Sequence, residues 1–175
     1  SHDQPRILHE LGYTAYGRPG YDTFRKRVQA VMAFQFAYPG APTIYYGDEI
    51  GLTGGHDPGC RGPYPWKEDG GGSYGDVSLL PFVQKLGALR RESGLLAKGA
   101  VRMLPAGPAT IGFERSLGNA RLLALFSNSP ERQGVRLEGI NPGRYRCLLT
   151  GTEVVLKAGQ SYALPGWGFA LLLQQ

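Results

Sequence analysis

The sequence is poor in cysteine and histidine. Its 175 residues include two cysteines, Cys60 and Cys147, which stand far apart and show no CxxC or Cys/His spacing. This pattern indicates neither a zinc site nor a disulfide framework, so we expect two free thiols. The three histidines, His2, His9 and His56, contain no pair at metal-ligand spacing. We therefore predict no metal-centred mechanism and no cofactor.

Long apolar runs and long charged runs are also absent. No stretch approaches the ~18 apolar residues of a membrane span, and the N-terminus lacks the basic-then-apolar order of a signal peptide, so we expect a soluble chain without a membrane partner. The net charge is +5, but the basic residues are scattered, which disfavours nucleic-acid binding. The hydrophobic fraction of 42% is sufficient for a globular core, and 27 glycines with 13 prolines predict many turns and long loops.

The first half of the chain alternates helical and strand patterns. Apolar residues at helical spacing predict a helix over residues 23–38, which Asp22 can cap and which Pro39-Gly40 ends. Residues 43–46 (TIYY) predict a short strand that is apolar on both faces, as in a parallel sheet covered by helices. A single parallel strand leaves its backbone groups and both faces unpaired. We therefore expect this half to dock against protein outside the chain.

A loop of about thirty residues, 47–77, follows the predicted strand. Loops of this length are usually functional or disordered, and this one carries aromatic and charged side chains, which favours function. A second helix is predicted over residues 79–92, and either Asp76 or Ser78 can start it.

The second half, from about Gly99, has a different pattern. Short apolar stretches alternate with Gly, Pro and Asn turn residues, which predicts an antiparallel sandwich of roughly eight strands. The stretches are GAVRML, TIGFER, RLLALF, GVRLE, GRYRCLLT, EVVL, QSYAL and GFALLL. The fold class is therefore α/β followed by all-β.

Three motifs in the first half occur in the order and approximate spacing of one enzyme family. They are Ser1-His2-Asp3, residues 39–51 (PGAPTIYYGDEIG) and residues 57–66 (DPGCRGPYPW). Together they resemble the C-terminal portion of the α-amylase family, glycoside hydrolase family 13. Within that family the sequence is most similar to neopullulanases, cyclomaltodextrinases and maltogenic amylases.

The resemblance implies a fold of two parts. Residues 1–97 would be the last strand-helix units of a catalytic (β/α)₈ TIM barrel, and residues 98–175 the antiparallel β-sandwich called domain C. In such barrels the chemistry lies at the carboxyl ends of the strands. By resemblance, residues 23–38 would be helix seven, residues 43–46 strand eight, and residues 79–92 helix eight.

The resemblance also implies roles for individual residues. Asp3 matches the aspartate that holds sugar hydroxyls and favours the transition state, and His2 matches the histidine that hydrogen-bonds the sugar beside it. Asp57 and Arg61 match a loop pair that binds glucose two subsites before the cleavage point, where both groups can bridge neighbouring hydroxyls. The alternatives are a disordered terminus or tag remnant for His2 and Asp3, and an ordinary loop ion pair for Asp57 and Arg61.

The nucleophile and the proton donor of the family have no counterpart in this sequence. Retaining glycosidases place these two carboxyl groups roughly 5 Å apart. Asp48 and Glu49 are a tempting pair, but adjacent residues at a strand end point in opposite directions. We expect them to have a structural role instead, bonding to neighbouring loop backbone.

The resemblance thus implies the C-terminal part of a retaining glycosidase that hydrolyses α-1,4 bonds, with α-1,6 bonds left open, in maltodextrins, cyclodextrins or pullulan. The chain alone is expected to be inactive and to need the N-terminal part of the same enzyme. A homo-oligomer is left open, and the resemblance favours a cytoplasmic location.

The alternative is a non-catalytic carbohydrate-binding or structural β-sandwich. A binding sandwich is expected to expose a row of aromatic side chains for stacking on sugars. The candidates in the second half are few, and most alternate towards a core. They are Phe113, Phe126, Tyr145, Tyr162, Trp167 and Phe169.

Overall fold

The computed structural model describes residues 3–66 and 75–175. The chain forms two compact units, a first unit of Ser1–Met32 with Pro42–Lys85 and a second unit of Ala33–Ala41 with Leu86–Gln175. Within the described ranges, no helix combines the length and the apolar character that crossing a membrane requires. The α-helices are α1 (Ile7–Glu10), α2 (Tyr21–Ala37), α3 (Leu80–Glu92) and α4 (Gly94–Lys98).

Both long helices lie where the apolar periodicity predicts them. Helix α2 begins two residues before the predicted start, so Asp22 lies inside its first turn and is not its cap. An acid there still interacts favourably with the positive end of the helix dipole. Before α3, residues Val77–Leu79 form a 3₁₀ turn, and Asp76 caps it by accepting a hydrogen bond from the Ser78 backbone N at 2.9 Å. Of the two predicted starting residues, Asp76 is therefore the cap.

The predicted strand at residues 43–46 is wrong for the described chain. All strands of the described residues lie between Ala100 and Gln174, in the second unit. Residues 43–45 have no regular structure, and Tyr46 begins a turn that leads into the 3₁₀ turn Asp48–Ile50. A strand needs the backbone groups of a neighbouring strand. The described part of the first unit offers none.

The second unit confirms all eight predicted strands, and every pairing is antiparallel. Six strands form one sheet in the order β1-β2-β3-β8-β5-β6, and β4 pairs with β7 in a second sheet. The strands are β1 (Ala100–Met103), β2 (Thr110–Leu117), β3 (Ala120–Ser127), β4 (Gln133–Arg136), β5 (Gly143–Cys147), β6 (Glu153–Leu156), β7 (Ser161–Leu164) and β8 (Phe169–Gln174).

One buried cluster joins the two sheets. It includes Leu123 and Leu125 of β3, Leu172 of β8, Val135 of β4 and Leu164 of β7. Alternate residues of a strand point to opposite faces, so Leu123 and Leu125 share one face of β3. Side chains from both sheets therefore form one sandwich core, as the alternating pattern predicts.

The other face of the six-stranded sheet is also buried. Phe113 of β2 and Phe126 of β3 pack against Phe34 from the end of α2, with ring centroids 5.7 and 5.3 Å from that of Phe34. Close by, the buried Arg115 donates hydrogen bonds to the backbone oxygens of Ala37 and Gly99 at 2.5 and 2.7 Å. Since both faces of the central strands are covered, stretches such as LLALF (residues 122–126) are apolar throughout.

Candidate functional site

Three charged side chains meet in the first unit although they are far apart in sequence. Arg61 donates from Nη2 to Asp3 Oδ1 at 2.6 Å, and its Nε forms an ion pair with Asp57 Oδ1 at 2.8 Å. The hydrogen bond to Asp3 raises the pKa of Arg61, which keeps the guanidinium charged. The predicted site residues Asp3, Asp57 and Arg61 therefore form one cluster, called here the Asp3–Arg61–Asp57 cluster. His2 lies outside the described residues.

The Asp3–Arg61–Asp57 cluster is open to solvent. About half of each side-chain surface is exposed, 52% for Asp3, 51% for Asp57 and 46% for Arg61. Carboxylate oxygens accept and guanidinium N–H groups donate, so the cluster matches a ligand that carries neighbouring hydroxyl groups. No group of three His, Cys, Asp or Glu side chains that could hold a metal ion occurs among residues 3–66 and 75–175.

A tight turn presents Asp57 and Arg61 on the same side. Residues Gly59–Arg61 form a 3₁₀ turn, in which the fully buried Cys60 points inward. The turn packs directly on Gly54, where an added Cβ would lie 2.2 Å from the backbone oxygen of Gly59. Only glycine at this position permits so close a backbone approach. Both Cys60 and Cys147 are buried, and among the described residues neither takes part in a disulfide.

The segment that carries Asp3 is attached to the same loop through Arg6. The backbone N of Arg6 donates to Gly54 O at 2.9 Å. Its guanidinium, in a residue only 2% exposed, donates from Nη1 to Tyr46 O at 2.6 Å and to Asp48 Oδ1 at 3.2 Å. The Cζ atom lies 4.7 Å from the ring centroid of Tyr45 and 4.8 Å from that of Tyr46. Arg6 thus holds residues 45–48 beside the start of the chain.

Asp48 has a structural contact, although with a partner that differs from the prediction. Its carboxylate pairs with the Arg6 side chain and not with loop backbone. Burial raises the pKa of Asp48 to about 6, although the charge of Arg6 acts in the opposite direction. At neutral pH the carboxylate is therefore ionised and paired. Glu49 lies in the same 3₁₀ turn and is half-buried.

Sequence reasoning missed Arg6 and the hydroxyl of Tyr46. The Tyr46 hydroxyl donates to Gly62 O at 3.0 Å, next to Arg61. The available signal for Arg6 was one arginine inside the otherwise uncharged stretch Gln4 to Leu8, close behind the candidate Asp3. Charged residues are seldom fully buried unless they are paired, so such a position indicates a specific partner.

The exposed aromatic row that a sugar-binding sandwich would require is not found among its six candidates. Phe113, Phe126 and Tyr145 are buried, with at most 5% of their surface exposed. The other three are half-buried. By contrast, Trp66 in the first unit is 60% exposed, and its ring centroid lies 4.5 Å from that of Tyr64.

Comparisons with known proteins agree on one family. The model of the alpha amylase catalytic domain matches residues 1–85. The chain is 31% identical to a cyclomaltodextrinase of Geobacillus thermopakistaniensis, over 98% of this chain and 27% of that protein. It is 33% identical to neopullulanase 2 of Thermoactinomyces vulgaris, over 91% of this chain and 26% of that protein. The chain thus spans about a quarter of the length of these relatives.

A solved structure agrees with this similarity over nearly the whole chain. The crystal structure of an Anoxybacillus alpha-amylase superposes with a TM-score of 0.79 at 26% identity, over 98% of this chain and 36% of that one.

Proposed function

This chain belongs to the α-amylase family of glycoside hydrolases, and from that premise we propose that it is the C-terminal part of a retaining glycosidase acting on α-glucans. The observation that carries the proposal is the Asp3–Arg61–Asp57 cluster, in which one guanidinium pairs with two carboxylates. The names of the relatives, cyclomaltodextrinase and neopullulanase, support cyclodextrins, maltodextrins and pullulan as the substrate class. The linkage is α-1,4, with α-1,6 as a further candidate.

Asp3 is assigned the role of stabilising the transition state. Retaining hydrolysis passes through an oxocarbenium-like state, in which positive charge develops on the sugar ring. An ionised carboxylate that accepts hydrogen bonds from the ring hydroxyls binds that state more tightly than the ground state, which accelerates the reaction. Arg61 pairs with Asp3 at 2.6 Å in the absence of sugar. His2 would donate a further hydrogen bond to the same sugar.

Asp57 and Arg61 are assigned the binding of a glucose unit two subsites before the cleaved bond. A carboxylate and a guanidinium side by side can each bridge two adjacent hydroxyls, which fixes the orientation of the ring. Orientation of this kind brings the scissile bond into register with the reacting groups. Because roughly half of each side chain is exposed, a sugar can reach both groups.

The nucleophile and the proton donor would come from the N-terminal part of the same enzyme. In this assignment, residues 1–97 complete a (β/α)₈ barrel and residues 98–175 form domain C. The absence of any strand pairing at residues 43–46 supports a missing neighbour, because a barrel strand needs strands on both sides. The chain by itself is then inactive.

The test is to mix the chain with the matching N-terminal part and to assay hydrolysis of maltodextrin and cyclodextrin. Activity is expected only in the mixture. In the mixture, Asp3→Asn should lower kcat by about 10³-fold or more, since it removes the charge that stabilises the transition state. Asp22→Asn, which changes an exposed aspartate of α2, is the matched control and should leave kcat unchanged.

Two results would contradict the proposal. Hydrolysis by the chain alone would mean that its own residues include the nucleophile and the acid. Normal turnover of the Asp3→Asn mixture would show that Asp3 does not act on the transition state.

A further inference from the structure

A closed series of contacts, called here the circuit, runs from Arg6 through Tyr46 and Gly62 to Arg61 and Asp3. Arg6, three residues after Asp3, binds the backbone oxygen of Tyr46 and lies against its ring. The Tyr46 hydroxyl then binds the backbone oxygen of Gly62, the neighbour of Arg61. Arg61 closes the circuit by pairing with Asp3 at 2.6 Å. Every member of this circuit belongs to the first unit.

Two members of this circuit, Arg6 and Arg61, differ strongly in their burial. The guanidinium of Arg6 is fully enclosed, and its contacts with two tyrosine rings and with Asp48 leave it little freedom. By contrast, Arg61 has 46% of its side chain exposed, and exposed ion pairs by themselves hold geometry weakly. Tyr46 connects the buried Arg6 to the exposed loop that carries Arg61. Its ring rests on Arg6, and its hydroxyl reaches the loop that carries Arg61.

We propose that Tyr46, fixed by Arg6, is a positioning residue that sets the location of Arg61 and, through Arg61, the orientation of Asp3 towards the sugar. This inference rests on the proposed function and adds to it a residue that acts through another residue. Tyr46 does not bind the sugar in this role. Its hydroxyl holds the backbone at Gly62, and this backbone carries the guanidinium.

The position of the hydrogen bond from Tyr46 to Gly62 explains why the loss of one hydroxyl can affect the placement of Arg61. The bond from Tyr46 to Gly62 spans 16 positions of the chain and ends one residue after Arg61. The next fixed point on the other side of Arg61 is the buried Cys60. With both neighbours held, the backbone that carries the guanidinium has few positions available. Without the hydrogen bond at Gly62, the turn is held only at Cys60, and Arg61 can shift. Small displacements of binding groups are costly for catalysis.

The sharpest variant is Tyr46→Phe, because it keeps the ring over Arg6 and removes only the hydroxyl. Tyr145→Phe is the matched control. The Tyr145 hydroxyl also donates to a backbone oxygen, that of Asn141 at 2.7 Å, but it lies in the β-sandwich of the second unit. Both variants lose a hydroxyl that donates to a backbone oxygen. Because Tyr145 is fully buried and Tyr46 is 41% exposed, a general loss of stability should be at least as large in Tyr145→Phe.

The first measurement needs no activity. Arg61 Nε lies 2.8 Å from Asp57 Oδ1 in an ion pair, so the hydrogen exchange of its Nε–H group, followed by NMR in the 175-residue chain, reports how firmly the guanidinium is held. Tyr46→Phe should accelerate this exchange by about tenfold, whereas Tyr145→Phe should leave it unchanged. Equal exchange in Tyr46→Phe and in the unaltered chain would overturn the proposal.

The second measurement uses the chain assembled with the matching N-terminal part. Tyr46→Phe should raise KM for maltodextrin by about tenfold with a smaller fall in kcat, since Arg61 binds substrate and transition state alike. A change of melting temperature without a change of KM would indicate a merely structural role and overturn the inference. A mixture that is inactive without any substitution would instead contradict the proposed function, and the exchange measurement would still decide the role of Tyr46.

Discussion

Two arginines of the first unit occupy opposite environments and have correspondingly different tasks. Arg6 is enclosed between two tyrosine rings and pairs with Asp48, whereas Arg61 lies at the surface between two half-exposed carboxylates. Cation–π contacts contribute about 2 kcal/mol when they are desolvated, which helps to offset the cost of burying a charge. The exposed guanidinium remains available to a ligand. Burial thus suits Arg6 for holding backbone, and exposure suits Arg61 for the sugar-binding role proposed for it.

The geometry of the Arg61 side chain leads to a prediction. Its two bonds leave from different nitrogens, Nε to Asp57 and Nη2 to Asp3, and a lysine has only one nitrogen. In the assembled enzyme, Arg61→Lys should therefore raise KM for maltodextrin by about tenfold while it keeps the charge. Steady-state kinetics measure this change. Arg132→Lys, at an exposed position of the second unit, should have no effect. An unchanged KM in Arg61→Lys would show that one donor is sufficient.

At the scale of the elements, the start of α3 depends on a single carboxylate. Asp76 accepts hydrogen bonds from the Ser78 backbone N and from the Tyr21 hydroxyl, and it pairs with Arg25 Nε at 3.0 Å. Burial by itself raises the pKa of Asp76, but these hydrogen bonds and the charge of Arg25 lower it below its usual value. Asp76 therefore joins the start of α3 to residues of α2.

The lowered pKa of Asp76 predicts a pH-dependent contribution to stability. The unfolded chain binds the Asp76 proton more tightly than the folded chain, so the contribution is complete above about pH 4 and is lost as the pH falls through the folded pKa. Asp76→Asn keeps a capping oxygen but loses the charge, which should lower the free energy of unfolding by about 1 kcal/mol at pH 7. This difference should shrink as the pH falls below about 4.

Urea denaturation between pH 7 and pH 3 measures the difference between the unaltered chain and Asp76→Asn. The control is Asp22→Asn, which changes an exposed aspartate within the first turn of α2. Its effect should be smaller at every pH, because the described residues offer its exposed carboxylate no comparable set of hydrogen-bond donors. A difference for Asp76→Asn that stays constant with pH would mean that the charge of Asp76 does not contribute.

At the scale of the whole molecule, the proposed function makes the chain one part of a larger site. It spans about a quarter of the length of its cyclomaltodextrinase and neopullulanase relatives. Its candidate site is a half-exposed cluster of three side chains, and small polar surfaces of this kind bind a sugar weakly. The strength of glucan binding therefore separates the proposed role from that of a self-sufficient binding module.

Calorimetric titration with maltotriose is the measurement at this scale. The chain alone should bind with a Kd above about 1 mM, and the assembled enzyme more tightly, since further subsites contribute. Arg61→Lys should weaken binding by the assembled enzyme, whereas Arg132→Lys should not. Micromolar binding by the chain alone would favour the alternative of a carbohydrate-binding sandwich, whose sugar-binding surface is complete without a partner.

The local sequence pattern was sufficient to predict the two long helices and the eight strands. The apolar spacing of α2 and α3 and the turn residues between the eight strands act over a few neighbouring positions, so they can be read directly from the sequence. The strand expected at residues 43–46 failed because a strand depends on a partner that the described chain does not supply. The cap role expected for Asp22 failed by two residues, which is the usual uncertainty of a helix boundary.

The sequence by itself determined the family, the two long helices, the eight strands and the residue types of the candidate site. Only the tertiary structure decided that Arg61 pairs with Asp3, 58 positions away, that Arg6 is buried against Tyr46, and that the Tyr46 hydroxyl binds the backbone next to Arg61. The reason is physical. Helix periodicity and turn chemistry are short-range properties of the chain, whereas ion pairs and burial depend on which distant segments come into contact when it folds.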